Sequence, residues 1–212
     1  MFLSIFFSVF NILGLNMSRI IQLLNDIEIS LNNLHHPCIS YLNEGVAAQE
    51  IQEQFSKISL QPNKDLITLY SWRNGTKESD EVTLGELAFF PGFYFMSLQE
   101  CLATYIELED TLGWKKSWFP IFANGGGDFY AVNLDIERQG EIVGVYIYEE
   151  SPSVEYNSLE SMLKTFNECY NEGIIFKNSE GYLDMDYYKH AEIAHRINPN
   201  LNIWVNILSE RS

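Results

Sequence analysis

The strongest constraint on this chain lies in its middle, where two short segments alternate with a period of two. From Phe129 to Leu134, Tyr130, Val132 and Leu134 fall on one side, and Phe129, Ala131 and Asn133 on the other. Ile142 to Tyr148 repeats the pattern, with Val143, Val145 and Ile147 against Ile142, Tyr146 and Tyr148. Alternation of this kind, broken by a polar link containing glycine, specifies an antiparallel meander. Trp118-Phe119-Pro120-Ile121-Phe122 supplies the strand before it, and Leu87-Ala88-Phe89-Phe90 an earlier one stopped by Pro91-Gly92.

Helical periodicity flanks these strands on both sides. Ile20, Ile21, Leu24, Ile27, Leu31 and Leu34 form one stripe, which Pro37 ends. A second helix is expected from Val46 to about Ser56, with Ile51, Phe55 and Ile58 inward. Pro62 is placed to open a third, which carries Asp65 to Trp72 and stops at Asn74-Gly75, where a left-handed cap costs little. Ser97 and Glu100 form a capping box for a helix with Leu98, Cys101, Leu102 and Tyr105 on one face. Asn157 and Glu160 make a similar pair ahead of Leu159, Met162, Leu163, Phe166 and Tyr170, and Gly173 ends that helix. A last helix is expected from Asp186 to Ile197. Helices on either side of a run of strands, in 212 residues without a linker, imply one α+β domain with a central, mostly antiparallel sheet and flanking helices.

That domain is expected to span residues 17–212. Residues 1–16 read MFLSIFFSVFNILGLN, apolar and uncharged. As a helix they would reach about 24 Å, short of the ~30 Å hydrocarbon core of a bilayer. A basic start and an A-x-A cleavage site are both lacking, and the first cation is Arg19. The favoured reading is an upstream start codon, with Met17 opening the domain; if the segment is real, it docks on the domain or on a membrane.

The charge sum narrows the function. Thirteen basic against 29 acidic residues give −16, a balance that repels phosphate backbones and attracts basic partners. Nucleic-acid binding is therefore not expected. Three cysteines without a CxxC fit a reducing, cytoplasmic setting. Chemistry-bearing motifs fail on context. Gly125-Gly126-Gly127 is followed by Asp128 and a strand, not by Lys and a helix, so it reads as a hairpin turn whose backbone Asp128 bonds. His35-His36-Pro37-Cys38 has no second ligand pair, and Asp184-x-Asp186 lacks the rest of a calcium loop. Neither HExxH nor GxSxG occurs. Cys101 and Cys169 read as small core residues. No catalytic, cofactor or metal residue is assigned, and an enzyme is not expected.

The remaining signal is acidic. Asp128, Asp135, Glu137, Glu141, Glu149, Glu150 and Glu155 lie in the meander and its exits, where Arg138 is the lone cation between Ile121 and Asn157. One reading is a sheet edge guarded by charge. The other is a docking face for a basic protein, formed by Asp128, Glu149, Glu150 and Glu155 with Tyr146, Tyr148 or Phe129 as aromatic anchors.

Several of these segments, in their order and spacing, also carry a family resemblance. They are Leu66-Ile67-Thr68-Leu69-Tyr70-Ser71-Trp72-Arg73-Asn74-Gly75, Trp118 to Ala123 running through the Gly125-Gly126-Gly127 turn to Leu134, Ile142 to Tyr146, and Ser158-Leu159 opening a helix. From about Leu60 to Leu163 the chain resembles the SUKH superfamily, which includes fungal cell-wall-synthesis regulators and bacterial immunity proteins. The resemblance implies a non-catalytic α+β domain. It further implies a cytoplasmic immunity protein that binds a toxin domain, of the kind that is often a nuclease. The alternatives are a regulatory or scaffold protein of the same fold without a toxin and, less favoured, an unrecognised enzyme. Trp72, Asn74, Gly75 and Trp118 are assigned to the fold, with Trp72 anchoring its helix and Gly75 at a left-handed cap.

Overall fold

A computed structural model describes residues 18–210, apart from 78, 112 and 150. The expectations for residues 1–16 and Met17 therefore lie outside the described residues. The chain opens with α1 (Arg19–Asn33), a 3-10 turn (Pro37–Tyr41) and β1 (Leu42–Glu44). Next come α2 (Ala48–Ser56), α3 (Lys64–Trp72) and β2 (Arg73–Thr76). β3 (Ala88–Phe90) and β4 (Phe93–Phe95) precede α4 (Leu98–Leu108). The meander follows as β5 (Trp118–Ala123), β6 (Phe129–Asn133), β7 (Ile142–Val145) and β8 (Ser153–Tyr156). The chain continues through α5 (Leu159–Asn171), β9 (Ile175–Lys177), β10 (Leu183–Met185), α6 (Tyr187–Ile197) and α7 (Asn202–Ser209).

β3 to β8 form a six-stranded sheet in chain order, each strand antiparallel to the next. This is the expected α+β architecture. One face carries the main core, where Phe89, Phe90, Phe95, Phe119, Phe122, Val132 and Tyr156 meet the apolar stripes of the helices. Phe90 stacks on Phe166 of α5 with ring centroids 3.9 Å apart, and Phe119 meets Phe55 of α2 at 4.5 Å. α1 lies against α5 and α3 and buries Ile20, Leu23, Leu24, Ile27 and Leu31. The other face holds a separate small cluster of Trp118, Ala131 and Val143, flanked by Trp114, Val145 and Val154. Both sides of the alternation are thus buried, but against different neighbours.

Several local expectations shift by a residue or two. α3 begins at Lys64 with Asn63 as its cap, whose Oδ1 accepts from Leu66 N at 2.9 Å; Pro62 lies just ahead. The Ser97–Glu100 box forms as read. The cap of α5 is Ser158 paired with Ser161, not Asn157 with Glu160. Asn157 instead accepts nothing at the helix: its N–H donates to Asn198 Oδ1 at 3.0 Å and its amide to Asn200 at 2.9 Å, tying β8 to the α6–α7 link. β7 ends at Val145, so Tyr146 to Tyr148 leave the ladder that their alternation implied. α7, the β9–β10 hairpin and the β1–β2 pair escape the sequence reading.

The assignment of Asn74-Gly75 to a helix cap needs correction. α3 ends at Trp72, and Asn74 and Gly75 lie in β2, paired with β1. Gly75 does take φ +68°, but for a different reason. A Cβ there would sit 2.3 Å from Ser97 N and 2.4 Å from Met96 C. Asn74 Oδ1 accepts from Leu98 N at 2.8 Å, satisfying one of the free donors at the start of α4. The pair clips β2 onto the entry of α4. Trp72, the last residue of α3, donates from its Nε1 to Asn25 Oδ1 of α1 at 2.8 Å.

Gly75→Ala combines backbone strain with a backbone collision, so it is expected to cost more than ~1 kcal/mol. Trp118→Ala empties the small cluster on the outer face and is expected to cost ~3–5 kcal/mol. Urea unfolding of both variants checks the pair; a Trp118→Ala midpoint equal to that of the parent chain refutes the packing role.

Candidate functional site

Two recesses open on either side of the segment Tyr146–Glu149, which leaves β7. The inner one, a cavity of about 240 Å³, is walled by Phe93, Tyr130, Tyr146, Tyr187 and Trp204, with Glu155 and His190 among its lining. The outer one, a groove of about 450 Å³, is lined by Trp114, Phe129, Val145, Ile147 and Pro152, and it shares Tyr146 and Glu149 with the cavity.

The position of Glu155 has a clear structural origin. In the β7–β8 ladder Ile142 faces Tyr156, and the next residue, Val143, faces Val154. Glu155 is the extra residue, and a bulge of this kind leaves one residue unpaired and turns its side chain. The carboxylate folds over Gly144, where a Cβ would lie 2.0 Å from Oε1 and 2.7 Å from the Tyr146 ring. Only a glycine leaves that path open. Oε1 accepts from the Tyr146 hydroxyl at 2.7 Å. Trp204 Nε1 donates to the Glu155 carbonyl at 2.7 Å, which locks α7 onto the bulge.

Polar groups continue from the carboxylate into the core. The Tyr146 hydroxyl also lies 3.4 Å from the Tyr130 hydroxyl, the Tyr130 and Tyr156 rings meet edge to face at 6.1 Å, and Tyr156 lies 3.1 Å from His190 Nε2. His190 is 1% exposed, and its Nδ1 has no partner among the described residues. Burial pushes the Glu155 carboxyl up to about 7; the Tyr146 bond opposes this, the Glu149 charge adds to it, and the nearby Tyr130 hydroxyl again opposes. Burial lowers His190 to about 4 and so keeps the imidazole neutral. It also raises Tyr130, Tyr146 and Tyr156 well above the ordinary phenol range, so all three remain protonated.

The residues singled out from the sequence are not placed alike. Glu149 is exposed and borders both recesses, and Tyr148 is 97% exposed beside it. Tyr146 lies between them with its hydroxyl turned inward. Glu155 is 5% exposed, inside the molecule and not on the acidic surface where the charge pattern set it. Asp128 is half-buried and occupied: Oδ2 accepts from Asn124 Nδ2 at 2.6 Å and Oδ1 from Ile147 N at 2.8 Å. The bond to Ile147 N pins the Tyr146–Glu149 segment to the β5–β6 turn. Within that turn Asn124, not Asp128, bonds the backbone, accepting from Gly126 N and Asp128 N. Gly125 and Gly127 take φ +75° and +105° there. Glu150 lies outside the described residues.

The sequence reading missed His190, Tyr130, Tyr156, Tyr187 and Trp204 as companions of Glu155. Two signals were available: an acid between Val154 and Tyr156 in a strand, and Gly144 isolated in an apolar run, a mark of a bulge or close approach. Elsewhere, Cys38 and Cys169 are buried thiols pushed up to about 12, and burial raises Cys101 further. His36 is buried near its exposed neighbour His35 and lowered to about 4 by burial and then by Lys177. Among the described residues no three His, Cys, Asp or Glu side chains are grouped to hold one metal ion.

The raised Glu155 carboxyl sets a sign for the pH dependence of stability. The folded state keeps a proton that the unfolded chain has already lost above pH 4.5, so stability falls as pH rises from about 4.5 through about 7. The full shift corresponds to about 3 kcal/mol. His36 and His190 act the other way, weakening the fold as pH drops from 6.5 towards 4. Glu155→Gln is expected to remove the alkaline-side loss and leave the acid-side one. Melting temperatures of variant and parent chain between pH 5 and 8 should diverge as pH rises, in favour of the variant; parallel curves refute the assignment.

A family model described as SMI1 / KNR4 family (SUKH-1) matches residues 45–191, a span wider on both sides than the segments that carry the resemblance. It takes in α2 to α5, β2 to β10 with all of the meander, and the start of α6 up to Ala191. No curated protein was found to match.

Proposed function

The chain belongs to the SMI1/KNR4 family (SUKH-1), and from that premise we propose that it is a non-catalytic protein-binding domain: a cytoplasmic immunity protein that occludes a basic toxin domain. The docking surface is the outer groove and its acidic border. The observation that carries this reading is the second face of the sheet. Its small cluster holds two indoles, Trp114 and Trp118, whose buried Nε1 atoms have no partner among the described residues. Beside it Ile147 and Tyr148 are 61% and 97% exposed, and Glu149 stands next to them.

An apolar groove, an exposed tyrosine and an adjoining acid make the layout of an anchor with a charged rim. The chain's charge of −16 adds long-range attraction for a cationic partner. Among the described residues no helix is long and apolar enough to cross a membrane.

The test begins with the gene's neighbourhood: the reading expects a large secreted protein encoded beside it, whose C-terminal domain is the toxin, and a neighbourhood without one counts against the immunity role. Co-expression of the chain should rescue cells from that domain. In stopped-flow binding, Glu149→Gln is expected to slow association about two- to fivefold at low salt and to flatten its salt dependence. Tyr148→Ala is expected to speed dissociation about tenfold, the effect of losing one aromatic anchor, while the melting temperature stays unchanged. Rates identical to the parent chain in both variants would move the interface off this face.

A further inference from the structure

The cavity behind the Tyr146–Glu149 segment is not needed to close the fold. Its aromatic walls could have met an apolar residue at position 155, yet a carboxylate is delivered there by a bulge and by a glycine that makes room for it. Glu149 and Tyr187, both exposed, stand where the cavity reaches solvent, and Glu155 lies at its inner end. Two acids and several π faces line the space, and no Lys or Arg does so among the described residues. His190 adds a buried Nδ1 without a partner.

The chemical complement of such a space is a cation. Aromatic faces attract a desolvated positive charge through their quadrupoles, and a buried carboxylate completes the pairing. A compact ammonium fits better than a guanidinium. A guanidinium fork prefers both oxygens of a carboxylate, and here Oε1 already accepts from Tyr146. The length and thinness of a lysine side chain suit entry from a docked surface past Tyr187, its methylenes lying along the rings.

We propose that this cavity receives the ammonium group of a lysine side chain presented by the protein partner, with Glu155 as counter-charge and Tyr130, Tyr146, Tyr187 and Trp204 as the surrounding wall. The proposal rests on the protein-binding reading above and names the anchor that makes the complex long-lived. Glu149, shared by cavity and groove, then guides the lysine from the rim to the interior.

The full-length chain is titrated with Nα-acetyl-lysine N-methylamide and, as the neutral isostere, its norleucine counterpart. The readout is the NMR signal of the Trp204 indole N–H, which is bonded to the Glu155 carbonyl. A saturable shift is expected with the lysine compound. It should be at least about tenfold weaker with norleucine, absent in Glu155→Gln, and about fivefold weaker in Tyr187→Ala, which removes one wall at the mouth. Melting curves confirm that both variants are folded. Against the toxin domain, Glu155→Gln should raise the dissociation rate about 30-fold. Equal shifts with lysine and norleucine, or binding retained in Glu155→Gln, overturn the proposal. If butylammonium shifts the signal as strongly as the lysine compound while the toxin dissociates from Glu155→Gln at the parent rate, the site serves a free amine and the proposal falls. If Glu149→Gln and Tyr148→Ala weaken the complex but Glu155→Gln does not, the lysine anchor alone falls. If none of the three does, the docking face falls with it.

Discussion

One sheet face collects the apolar stripes of the helices, and the structure follows from that asymmetry. The rings of Phe89, Phe90, Phe95 and Phe122 form a continuous aromatic layer on β3, β4 and β5, with Phe90 against Phe166 of α5 and Phe119 against Phe55 of α2. Rings bury large areas with few rotatable bonds, so a layer of this kind holds helices from distant parts of the chain at modest entropic cost. α5 meets this layer directly through Phe166, and α1, far away in sequence, packs along α5 and against α3 and so joins the same core.

The opposite face is left with a much smaller set of contacts. Trp118 and Val143 alternate outward from strands whose neighbours point into the main core, and Trp114 closes over them from the α4–β5 link. What the sheet does at its β7–β8 end follows from the same geometry. A regular ladder would have turned position 155 to one face or the other by strict alternation. The bulge suspends that rule for one residue, and Gly144 removes the obstacle beneath it, so an acid enters the aromatic side. Burying it without a cation raises its affinity for a proton. The result is a fold that is less stable at neutral pH than at mildly acidic pH as far as this one group is concerned.

The motifs that could be read in advance were those whose meaning is local. Ser97-x-x-Glu100 caps a helix because the reciprocal pairing is completed within the helix's own first turn. Gly173 ends α5 because the left-handed turn is needed there whatever lies nearby. Motifs whose role is long-range were recognised and then misassigned. Asn74-Gly75 carries the residue types of a helix end, but its side chain caps α4 and its missing Cβ clears Ser97 and Met96, more than twenty residues on. Asn157 similarly bonds Asn198 and Asn200 in place of its own helix. Asp128 was assigned to its own turn, yet one of its oxygens holds Ile147 in the next connection.

The sequence by itself determined the α+β class, the meander, the helix faces and the acidic character of the region, because period, capping chemistry and net charge are properties of neighbouring residues and of sums. Only the tertiary structure decided which acids are surface and which are interior. Glu149 and Glu155 are six residues apart and alike in chemistry, yet one stands in solvent and the other is enclosed by Tyr130, Tyr146 and Trp204. That difference comes from a single unpaired residue in a strand and from helices α6 and α7 folding back over it. Neither is visible until β7, β8 and those helices are brought together.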